Sequence, residues 1–144
     1  MKPASLIVFA ILAITLIAQN AMADTTFDGT WSVTLNAHEY KNPDGSVARG
    51  VILHFPAKIE NGVLHGDWRS MRTPASLEIN GKIGTDGAAI LNLKGIVGDE
   101  AYTPFHPHAN KPYQYQVIAH FDQRHGTGRS DGSPRVNVFT FVKD

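Results

Sequence analysis

The chain has 144 residues, 13 basic and 13 acidic side chains, seven histidines and no cysteine. The missing cysteines exclude disulfides, thiol chemistry, Cys-ligated zinc and iron–sulfur clusters. The balanced charge, with no like-charge run, argues against nucleic acid or an anionic membrane surface as the main partner.

In chain order, the first 23 residues read as a signal peptide. Lys2 gives a positive start, Leu6 to Ile17 is an apolar run, and Ala21-Met22-Ala23 supplies the small-x-small cleavage pattern. The apolar run is too short for the roughly 20 residues that span a bilayer, and no later segment is longer, so no membrane span is expected after processing. Cleavage before Asp24 leaves residues 24–144 as one domain, periplasmic or secreted, large enough to bury its own core. Removing Lys2 leaves 12 basic against 13 acidic side chains.

Glycine and proline recur too often in residues 24–144 for long helices, whereas period-2 alternation is repeated. From Phe27 one face carries Gly29, Trp31, Val33 and Leu35. From Val51 one face carries Leu53, Phe55, Ala57 and Ile59. Asn61-Gly62 predicts a type I′ hairpin, with Leu64, Gly66 and Trp68 on the returning apolar face and Phe55 opposite Trp68. Alternation passes unbroken through Gly81 (Leu77, Ile79, Gly81, Ile83), so the next turn falls at Asp86-Gly87. Ala89, Leu91 and Leu93 then line the return. Residues 98–112 are irregular and rich in Pro and His. Tyr113 to Asp122 is a strand with Tyr115, Val117, Ala119 and Phe121 on one side. Gly126 to Pro134 reads as a turn region. Val136 to Val142 is a last strand whose inward face is ambiguous, Val136/Val138 competing with Phe139/Phe141. The sum is an all-β, antiparallel, up-and-down barrel of about eight strands, or a sandwich of the same strands.

Gly29-Thr30-Trp31 opens the first strand in a manner that resembles the calycin barrels, the lipocalins and avidins. The resemblance implies that glycine bends the strand at one barrel end and that Trp31 plugs it. It also implies an arginine packed over the tryptophan, with Arg129 and Arg135 as the two candidates. The segments Tyr113–Phe121 and Gly126-Thr127-Gly128-Arg129 resemble small exported bacterial β proteins of unknown function, which implies no activity.

Trp31, Phe55, Trp68, Tyr115 and Phe121 are the candidate ligand-binding residues, because they fall on predicted inner faces where Gly29, Gly66 and Gly81 make space. His106-Pro107-His108, and His54 with His65 near Asp67, are the candidate metal ligands, although a site needs three or four that converge. No Gly-x-Ser-x-Gly or His-Glu-x-x-His occurs, and Gly126-Thr127-Gly128-Arg129 lacks the Lys-Ser/Thr ending of a phosphate loop. The expected function is therefore non-enzymatic binding of a small apolar or amphipathic molecule inside the barrel, with no cofactor. The alternatives are a surface-interaction or inhibitor protein with a filled core, and a His-based metal binder.

Overall fold

The structure, a computed structural model, describes residues 25–69 and 74–144; the expected signal peptide and its cleavage pattern lie outside them. Eight strands close into one barrel: β1 (Gly29–Ala37), β4 (Val51–Glu60), β5 (Val63–Trp68), β6 (Leu77–Lys82), β7 (Ala88–Ile96), β8 (Pro112–Phe121), β9 (His125–Asp131) and β10 (Asn137–Lys143). A two-stranded ribbon, β2 (Tyr40–Lys41) with β3 (Val47–Ala48), lies in the β1–β4 connection. Each barrel strand pairs antiparallel with its sequence neighbour, and β1 also pairs with β10, Trp31 opposite Lys143 and Ala37 opposite Asn137. That last pairing makes the fold a barrel and not a sandwich, and among the described residues it leaves the barrel itself no edge strand.

The inward face follows the alternation of the sequence. Trp31, Ile59, Leu64, Ile79, Leu91, Leu93, Val117, Phe139 and Phe141 are fully buried. In β10 this settles the ambiguity for Phe139/Phe141, with Val136 and Val142 exposed. Gly81 is a strand residue, and a Cβ there would meet the Leu91 side chain at 2.7 Å. The Asp86-Gly87 turn forms as the alternation requires, Gly87 donating to the Gly84 carbonyl.

Two readings need correction. Residues 126–131 are not a turn but belong to β9, whose Gly126 and Gly128 point inward under the bulk of Phe121 and Val117. The β4–β5 ladder, moreover, pairs Glu60 with Val63 and Lys58 with His65 but ends at Ala57/Gly66, before Phe55 and Trp68. In a two-residue hairpin the flanking pair is hydrogen-bonded, so every second residue of β4 turns its N–H toward β5. The third of these is Pro56, which has no N–H to give.

The two ends of the barrel differ. At the closed end the turns are short. Asn61 (φ 51°) and Gly62 (φ 75°) form the I′ turn, and the Asp28 carboxylate accepts from both backbone N–H groups, at 2.8 and 3.0 Å. Asp28→Ala is expected to cost about 1–2 kcal/mol, the loss of two charge-assisted bonds at a half-buried site. Asp28→Asn should recover part of it, as read from urea midpoints. Above this turn Trp31 donates its indole N–H to the Phe27 carbonyl (2.9 Å) and meets Phe121 edge-on at 5.5 Å. Phe121 packs on Phe141 at 4.8 Å, and Phe141 stacks with Phe139. The lower barrel is thus filled by aromatic rings. At the opposite end lie the longer connections, including 38–50, 97–111 and 132–136.

Candidate functional site: a cavity at the open end

Above the packed rings β1 and β10 stay paired as far as Ala37 and Asn137, whereas β8 extends to Pro112, beyond its last pair with β9 (Gln116 opposite Asp131). Between them lies a cavity of about 250 Å³. Leu35, Val51, Val97, Pro104, Pro107 and Pro112 give it apolar walls. Its polar rim carries Tyr113, Tyr115, Arg135 and Lys111, and among the described residues no aspartate or glutamate lines it.

Local chemistry fixes this mouth. Tyr113 stands directly opposite Gly95 on β7, and its ring lies across the glycine where any Cβ would collide with it. This holds Tyr113 nearly parallel to Tyr115, with ring centroids 6.3 Å apart. Burial pushes the phenol pKa of both tyrosines up, and for Tyr115 the neighbouring phenol adds to the rise. Both stay neutral hydrogen-bonding groups. Arg135 sits in the β9–β10 connection. Its carbonyl accepts from the Ser130 hydroxyl at 3.3 Å and from the Asn137 amide at 3.5 Å, and its guanidinium donates to the Arg49 carbonyl at 3.2 Å. Burial pulls the Arg135 pKa down, while the two tyrosines act in the opposite direction.

The connection 97–111 roofs the cavity. It contains a 3-10 turn (Glu100–Tyr102) capped by the Asp99 carboxylate, which accepts from Ala101 N–H at 2.8 Å. Buried Asn42, at the end of β2, accepts from Phe105 N–H at 2.8 Å. The Phe105 ring meets Tyr40 at 5.7 Å. His106 reaches Ser46 at 2.8 Å and Asn42 at 3.1 Å through Nε2, and the Glu100 carbonyl at 3.1 Å through Nδ1. Phe105 and His106 both hold positive φ, 65° and 46°, so the roof is fastened in a conformation that side-chain bonds must maintain.

Of the five predicted ligand-binding residues, Tyr115 lines the cavity. Trp31 and Phe121 are fully buried in the aromatic stack, Phe55 is buried in the wall of β4, and Trp68 is partly buried at the end of β5 with the Arg69 guanidinium 5.6 Å from its ring. The predicted metal ligands are separate. His54 bonds Thr34 at 3.0 Å, His65 bonds Asn80 and lies 3.8 Å from Asp67, His106 is engaged in the roof, and His108 is exposed. Among the described residues no group of three or more His, Asp or Glu could hold a metal ion. Arg129 faces outward on β9 and Arg135 lies at the end of the barrel opposite Trp31. Neither covers the tryptophan, whose cover is Phe27 and Phe121. Sequence reasoning missed Tyr113, Val97, Pro104 and Lys111; the signal for Tyr113 was its position two residues before Tyr115, on the same face.

Fold and site together define a small closed β-barrel with an apolar, cation-rimmed cavity at one mouth. The chain matches no protein-family model, no curated protein and no solved structure.

Proposed function

We propose that this is an exported, non-enzymatic binding protein of the periplasm or the extracellular medium, which holds a small apolar or amphipathic molecule as calycin barrels do. The observation that carries the reading is the 250 Å³ apolar cavity at the open end. The filled aromatic interior favours binding at the mouth over binding along the barrel axis. The volume is below the roughly 300–1,000 Å³ of sites for drug-sized ligands, so the ligand is compact. The neutral fluorophore N-phenyl-1-naphthylamine tests this. Its emission should rise and shift to the blue with the protein, and the melting temperature should rise with its concentration by mass action. Gly95→Ala, which drives the Tyr113 ring into the mouth, should weaken binding several-fold. No emission change and no thermal shift with this probe, together with no binding of octanoate or 1-octanol, would overturn the reading in favour of the surface-interaction alternative, which the filled lower barrel also suits.

A further inference from the structure

Among the described residues Arg135 is the one guanidinium on the cavity wall, and it is half-buried. Among the described residues no carboxylate lies within ion-pair distance of it, and of its five N–H donors one reaches a protein acceptor, the Arg49 carbonyl. The second cation of the rim, Lys111, also has no carboxylate partner among the described residues. A partly desolvated guanidinium gains from a counter-charge that enters beside it. The connection bearing Arg135 is pinned by Ser130 and Asn137, which fixes the backbone from which the guanidinium reaches the cavity wall.

We propose that the molecule bound in this cavity is a small amphipathic carboxylate, its anionic head paired with the Arg135 guanidinium and its hydrocarbon body against Leu35, Val97 and Pro104. The inference rests on the binding function proposed above. A planar guanidinium fork matches a carboxylate through two parallel hydrogen bonds. The phenol hydroxyls of Tyr113 and Tyr115, beside the same guanidinium, are neutral donors suited to the remaining carboxylate lone pairs. Among the described residues no acidic side chain lines the cavity to compete for Arg135.

The test compares octanoate with its neutral counterpart 1-octanol by titration calorimetry on the purified protein. Octanoate should bind at least about 10-fold more tightly, the advantage expected of a hydrogen bond to a charged group. Arg135→Gln should abolish that preference, weakening octanoate by about 10-fold more than it weakens 1-octanol. Arg135→Lys, which keeps the charge but loses the fork, should retain part of it and serves as the second variant if the glutamine variant folds poorly. Equal or tighter binding of 1-octanol, or a preference for octanoate that survives Arg135→Gln, would overturn the carboxylate assignment and leave the binding function standing. Failure of both probes and of the neutral fluorophore would overturn the binding function and the assignment with it.

Discussion

Trp31→Ala is expected to lower stability by about 3–5 kcal/mol, a large part of the 5–15 kcal/mol typical of a domain. Trp31 is fully buried, its indole N–H is bonded to the Phe27 carbonyl, and its ring supports Phe121 edge-on. Truncation leaves a cavity under a rigid stack that cannot collapse into it, and it orphans the contact that anchors the residues before β1. Urea denaturation should show a lower midpoint with an unchanged slope, because the same surface is exposed on unfolding. Trp68→Ala should cost clearly less, since Trp68 is only partly buried and already borders solvent near Arg69. Equal losses for the two tryptophans would refute the division of the barrel into a packed end and an open one. Octanoate affinity should be little changed by Trp68→Ala and lost by Trp31→Ala only in proportion to the unfolded fraction.

Gly126→Val is expected to cost about 2–3 kcal/mol, as over-packing of a dense core does. Gly126 stands between Phe121 on β8 and Phe141 on β10, and those two rings meet over it at 4.8 Å. A Cβ there would come within 2.7 Å of the Phe121 ring, so a branched side chain must split the pair. The φ of Gly126 is not in the left-handed region, hence the penalty is one of space and not of conformation. Thr127→Val, one residue on and exposed, is the control and should stay within about 0.5 kcal/mol of the parent. The difference in melting temperature between the two variants measures the effect.

The same glycines explain what was legible in the sequence. Strands β1, β4, β6, β7 and the lower part of β8 put large apolar residues at every second position, and their inward faces are as the alternation predicts. Strand β9 puts Gly126 and Gly128 where the bulky residues would be, because Phe121, Val117 and Phe139 from its neighbours already fill that volume. Without side chains the alternation vanishes and glycine looks like a turn. Strand β10 hides its face in the opposite way, carrying apolar residues on both sides. The ribbon strands β2 and β3 are two residues each, too short for any period. At the cavity, Tyr115 follows from alternation. The position of Arg135 does not, because it is fixed by Ser130, Asn137 and the carbonyl of Arg49, 86 residues distant in the chain.

The pairing of the first barrel strand with the last governs how the chain reaches this state. Contact order is high where the two termini must meet, and such topologies fold in milliseconds to seconds. Until Asn137–Lys143 arrives, β1 and β9 are both open templates for a neighbouring chain. The final residues therefore act as a latch, and Asp144 secures it by donating its N–H to the Thr30 carbonyl at 3.0 Å and accepting from the Ser32 hydroxyl at 2.8 Å. A polypeptide delivered N-terminus first has that latch undone until residues 137–143 follow, and losing that strand converts a closed ring into two sticky edges.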